Sequence, residues 1–135
     1  MRILALDWGS VRTGAALSDP SGQIAFPLHK IIESKNAITE IKQLVDEFEI
    51  ALVLIGMPKN LKGESGKSSE KLNKFATSLA QAIKTPIEFI DERFTSVEAG
   101  NRLSEQGLNE QQQRTIKDNI AAQIMLEQYL NTHKK

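Results

Sequence analysis

Two short runs, Ile3-Leu4-Ala5-Leu6 and Ala51-Leu52-Val53-Leu54-Ile55, contain no polar residue, and they constrain the fold more than any other feature. A strand with one wet face alternates apolar and polar residues; a strand covered on both faces does not. Such strands suit a parallel pair sandwiched between helices, and parallel neighbours need a crossover of about a dozen residues or more. The chain between the runs supplies one. Ile38, Ile41, Leu44, Val45 and Phe48 recur at helical spacing, with Ser34 or Asn36 ahead of them as a cap.

The remaining elements fit the same plan. Thr13–Ser18 follows the first run so closely that a hairpin is the natural connection, and Asp19-Pro20-Ser21-Gly22 is a turn before a third strand over Ile24–Leu28. Pro27 cannot donate to a ladder, which predicts that this strand lies at an edge. A polar loop over Met57–Ser68 precedes a helix marked by Leu72, Phe75, Ala76, Leu79 and Ile83, which Thr85-Pro86 ends. A strand over Ile87–Asp91 comes next. Thr95-Ser96-Val97-Glu98 has the form of a capping box opening a short helix through Leu103, with Gly107 as its stop. A Gln-rich loop over Glu110–Arg114 then leads to a last helix over Ile116–Leu130. The expectation is an α/β fold with a five-stranded mixed sheet, three antiparallel strands then two parallel, and helices on both faces. No repeat or linker interrupts the 135 residues, so one domain over 1–135 is expected.

The absence of cysteine excludes a disulfide framework, a thiolate zinc site and a cysteine nucleophile. No apolar run approaches the roughly 20 residues that span a bilayer, and Met1-Arg2-Ile3-Leu4 runs into Asp7 rather than a signal-peptide core, so no membrane partner and a cytoplasmic location are expected. Lys plus Arg equals Asp plus Glu at 17 each, so a polyanionic partner must be argued from how the charges are arranged.

Carboxylates at the ends of buried strands are costly unless hydrogen-bonded, paired or bound to a cation. Asp7 ends the first strand, Asp91-Glu92 end the last, and Asp118 begins the last helix on one stripe with Ala121, Ala122, Met125 and Tyr129. The helix dipole would favour a charged Asp118 there. Converging oxygens suit a hard cation, Mg2+ or Mn2+, because His29 and His133 stand alone. On residue types alone the same carboxylates also read as a turn former, a solvated strand end and a helix-start residue.

Taken together, Asp7-x-Gly9-x-x-Arg12-x-Gly14 with Ser18-Asp19, Gly56-x-Pro58 with Gly63, Asp91-Glu92-Arg93-x-Thr95-Ser96 and Asp118-x-x-Ala121-Ala122 resemble the successive motifs of the YqgF family, also called RuvX. Its members are pre-16S rRNA nucleases with a ribonuclease H-like, Holliday-junction-resolvase-like fold. The resemblance implies a metal-dependent endonuclease maturing the 5′ end of small-subunit rRNA, with precursor rRNA or the small ribosomal subunit as partner; the sequence does not fix the oligomeric state, and a monomer is the favoured expectation. It implies Asp7, Glu92 and Asp118 as the catalytic, Mg2+- or Mn2+-binding set, with Asp91 as substitute for Glu92. One departure from the wider resolvase pattern matters: the strand after the first helix ends in Ile55-Gly56-Met57-Pro58, without an acid. The second carboxylate must then come from the next strand, about 4.8 Å further off. That favours the longer Glu92 over Asp91, with strand parity able to reverse the choice.

Lys59, Lys62, Lys67, Lys71 and Lys74 stand against Glu64 and Glu70, a surface suited to phosphates or to ordinary solvated helix lysines. Gly63-Glu64-Ser65-Gly66-Lys67-Ser68 is not a Walker A motif, which needs four residues between its glycines. Arg12 and Arg93 flank the acidic set and are read as phosphate contacts or as partners for local carboxylates. Trp8 could stack on a base or pack beneath the sheet end. Thr95 and Ser96 need no catalytic role. Two rivals stay open: a DNA junction resolvase, and a catalytically silent RNA-binding or ribosome-assembly module. An actin-like ATPase, which also opens Asp-x-Gly, needs two such domains and is excluded by length.

Overall fold

The protein is described by a computed structural model, with the backbone covered over residues 1–9, 11–28, 30–57, 67–91 and 110–132, and side chains over 1–9, 11–28, 30–56, 70–90 and 119–132. Strands β1 (Ile3–Asp7), β2 (Arg12–Ser18), β3 (Ala25–Pro27) and β4 (Ile32–Glu33) come first, then α1 (Ala37–Phe48), β5 (Leu52–Met57), α2 (Lys67–Ala82), β6 (Ile87–Asp91) and α3 (Glu110–Thr132). The main sheet runs β3-β2-β1-β5-β6. β1 pairs antiparallel with β2 and parallel with β5, and β5 pairs parallel with β6. The mixed sheet therefore has the expected division, and β3 with its Pro27 lies at an edge. β4, two residues long, pairs with β2 beyond the end of β3. It is too short to show alternation and was not expected.

Both faces of the sheet are covered. Leu4, Leu6, Ala15, Val53 and Ile55 pack against Ile41, Leu44 and Val45 of α1 and Leu72, Phe75 and Leu79 of α2. Ile3, Ala5, Ala16, Leu52 and Leu54 pack against Ala122, Met125, Leu126 and Leu130 of α3. This two-sided burial explains why β1 and β5 carry no polar alternation.

Helix ends depart from the sequence reading. A 3-10 turn over Ser34–Asn36 leads into α1; Asn36 is the N-cap but makes no side-chain capping bond. Ser34 instead donates its hydroxyl to the Gly9 carbonyl across the fold. α1 ends with Glu49 in the left-handed region, its N–H donated to Val45 O. α2 begins at Lys67, earlier than the apolar stripe suggests.

The largest correction concerns α3. The stretch 110–114 is helix, not loop, so Asp118 lies in the ninth position rather than at the start, and the helix dipole does not act on it there. The physical reason is propensity: Glu, Gln and Arg are good helix formers, and no Gly or Pro occurs between Leu108 and Thr132. The helix expected from Thr95 through Leu103 lies outside the described residues.

Candidate functional site

The carboxyl ends of β1, β5 and β6 lie at one edge of the sheet because the three strands are parallel. Asp7 closes β1 there, half-buried, with its Cα opposite Gly14 of β2. Successive strand residues face opposite sides, so Asp7 shares the α3 side with Ile3 and Ala5. Gly9 permits the turn that follows: a Cβ at that position would sit 2.6 Å from the Arg12 carbonyl oxygen.

Asp118 reaches the same edge through its neighbour. Asn119, 2% exposed, accepts a hydrogen bond from Ala15 N at 2.9 Å and donates from Nδ2 to Leu28 O at 2.9 Å and Lys30 O at 2.8 Å. Ala15 is the register partner of Leu6. The backbone of Asp118, one residue before Asn119, therefore lies over β2 beside the end of β1. The same amide closes the gap in β2 between the part paired with β4 and the part paired with β3, where Ala15 N has no strand partner. Sequence reasoning missed Asn119. Its signal is a poor helix former set immediately before the apolar run Ile120-Ala121-Ala122.

Asp91 closes β6 with its Cα opposite Met57 of β5. Within β6, Ile87 packs on the α1/α2 side and Ile90 on the α3 side. Glu92 and Arg93 lie outside the described residues, as do Lys59 and Lys62; Lys67 is described only as the first residue of α2. Arg12 is exposed at the start of β2, where its Cα pairs with Glu33. Of the expected metal ligands, only Asp7 has a described side chain.

Asp19 is a turn former. Its carboxylate accepts from the Ser21 hydroxyl and from the N–H groups of Ile24 at 2.9 Å and Gln23 at 2.7 Å. These bonds, the Ser21 one foremost, hold its pKa well below the ordinary carboxylate value. Trp8 takes the packing role open to it: its ring lies 6.0 Å from that of Phe75, tilted by 32°, on the α1/α2 side of β1.

Comparison with known proteins gives one picture. Residues 1–132 match the family described as RuvX, Holliday junction resolvase. A Thermoanaerobacter pseudethanolicus protein named "Putative pre-16S rRNA nuclease" is 37% identical over 99% of both chains. One of the same name from Chloroflexus aurantiacus is 39% identical over 98% of this chain and 88% of its own. Among solved structures, Thermus thermophilus RuvC bound to a Holliday junction superposes with a TM-score of 0.61 at 11% identity, covering 98% of this chain and 94% of that one. The fowlpox virus Holliday junction resolvase gives 0.58 at 15% identity, covering 98% and 99%. At such identities the likeness concerns the fold, which is the ribonuclease H-like fold expected from the sequence.

Proposed function

Because the chain belongs to the RuvX family, we propose that it is a nuclease that hydrolyses phosphodiester bonds of precursor 16S rRNA during ribosome biogenesis, working as a single domain over 1–135 and as a monomer. The observation that carries the site is the convergence of β1 and α3: Asp7 ends a buried strand on the α3 side, and Asn119 holds the backbone of Asp118 beside it.

The third carboxylate in this reading is Glu92 rather than Asp91. It comes from the strand beyond β5, about 4.8 Å further from β1, so the longer side chain is favoured, with Asp91 as its substitute. Asp7, Glu92 and Asp118 offer only carboxylate oxygens, the donor type that Mg2+ and Mn2+ prefer. When bound there, such ions would stabilise the negative charge that builds on the attacking and leaving oxygens during displacement by water. The chain's own part is to hold three carboxylates on a rigid sheet edge and to meet the flanking phosphates with Arg12, Arg93, Lys59, Lys62 and Lys67.

The test is cleavage of precursor 16S rRNA by the purified protein with Mg2+, with Mn2+ and with chelator, in the wild type and in Asp7→Asn. Metal-dependent cleavage that Asp7→Asn abolishes is expected. Equal cleavage by both proteins would remove the site from the chemistry. The family's description favours one second reading, cleavage of four-way DNA junctions. Preference for a DNA junction over precursor rRNA in the same assay would select it.

A further inference from the structure

Asp7 and Trp8 leave the end of β1 on opposite sides of the sheet, and beside Trp8 an open cleft of about 350 Å³ separates the start of α1 from α2. Its described lining is Trp8, Lys35, Ile38, Lys71, Lys74 and Phe75, with the hydroxyls of Ser34 and Ser78 at its wall. We propose that this cleft receives a single-stranded RNA segment flanking the bond to be cut, with an unpaired base against Trp8 and backbone phosphates at Lys71 and Lys74. The inference rests on the nuclease reading for its choice of RNA.

Charge is the first argument. The described lining carries three lysines and no carboxylate. Lys35 is paired with Glu33 at 3.4 Å, but Lys71 and Lys74 are exposed and make no ion pair among the described residues. Positions 71, 74, 75 and 78 lie on one stripe of α2, so a single rigid helix presents both lysines and the ring that supports Trp8. A near-neutral protein thereby gains a local anion-binding surface that its overall charge conceals.

Shape is the second. Trp8 is half-buried: Phe75 backs the ring at 6.0 Å and the cleft opens on it. A backed aromatic ring beside cations is the usual platform for an unstacked base, and a base still paired in a duplex has no free face to offer it. Continuity is the third. Asp7 and Trp8 are consecutive residues at the end of β1, so an RNA strand crossing this sheet edge passes from the proposed carboxylate set to the cleft.

Trp8 is the sole tryptophan, so its fluorescence reports on this cleft alone. The full chain is titrated in chelator, which prevents metal-dependent cleavage, with a single-stranded oligoribonucleotide and with a blunt duplex of the same sequence, while anisotropy of labelled RNA follows total binding. Saturable quenching by the single strand is expected, weaker with the duplex. Lys71→Glu with Lys74→Glu should lower affinity at least 10-fold and reduce the salt slope by about 0.7 per lost phosphate contact. Lys42→Glu with Lys84→Glu, the same charge change on exposed positions away from the cleft, should leave affinity near wild type. Asp7→Asn should quench as the wild type does, whatever happens to cleavage, which separates this inference from the catalytic one. Anisotropy without a change at Trp8, equal quenching by duplex, equal losses in the two double variants, or no binding by either readout would overturn it.

Discussion

Asn119→Ala is the sharpest stability test of how the site is held. The side chain is buried and makes three hydrogen bonds, to Ala15 N, Leu28 O and Lys30 O. Truncation leaves a fully buried N–H without a partner, which costs about 1–3 kcal/mol, and removes two further bonds worth about 0.5–1.5 kcal/mol each. The expected loss is about 2–6 kcal/mol, a large share of the roughly 5–15 kcal/mol that stabilises a domain. Asn119→Asp retains an acceptor for Ala15 N but sets a carboxylate oxygen against two carbonyls, so at pH 7 it should be worse than alanine. Its carboxyl would have a raised pKa in the folded state, so the deficit relative to Asn119→Ala should shrink as pH falls toward about 4 and level off below it, where folded and unfolded carboxyls are both protonated. Urea unfolding at pH 3 to 7, followed by Trp8 fluorescence and far-ultraviolet circular dichroism, measures both effects. An alanine variant within about 0.5 kcal/mol of wild type, or a pH-independent gap between the two variants, would refute the reasoning.

Three smaller changes test other joints. Gly9→Ala places a methyl 2.6 Å from a backbone carbonyl that cannot swing aside, and should cost about 1–3 kcal/mol by the same unfolding assay. Glu49→Gly relieves a left-handed residue at φ 51° and should stabilise by roughly 0.5–1 kcal/mol, read as a rise in thermal midpoint. Because hydrogen bonds hold the Asp19 carboxyl below its ordinary value of 3.8, its contribution is present in full above that value and is lost as pH falls from there through the lowered value of the folded state. Asp19→Asn should therefore flatten the decline of urea midpoints between pH 5 and pH 2.

The layered sheet was legible because burial on two faces leaves a mark in the sequence: β1 and β5 are apolar throughout, and α1 and α2 carry helical stripes. What stayed hidden has particular causes. β4 is held by two residues of pairing, below the length at which any period can be seen. The start of α3 was hidden by reading a Gln-rich stretch as a loop from its polarity alone, when its residues favour helix. β6 gave no clear parity, because Ile87, Phe89 and Ile90 put apolar residues on both sides while Phe89 remains 44% exposed. Only packing, Ile87 against one cluster and Ile90 against the other, tells its sides apart.

The candidate site shows why a list of acids is not yet a site. Asp7 could be found from its place at the end of an apolar run, since that run alone fixes the strand and its end. Asp118 could be found only by resemblance: the dipole argument that singled it out fails once α3 begins at Glu110. What holds its backbone beside β1 is the next residue, whose partners lie 104, 91 and 89 positions away and are backbone groups that any sequence would carry. A helix residue advances by about 100° per step, so Asn119 fixes the rotation of α3 against the sheet as well as its height. The acid beside it inherits that setting, which makes an uncharged amide the residue on which the geometry of the proposed carboxylate set depends.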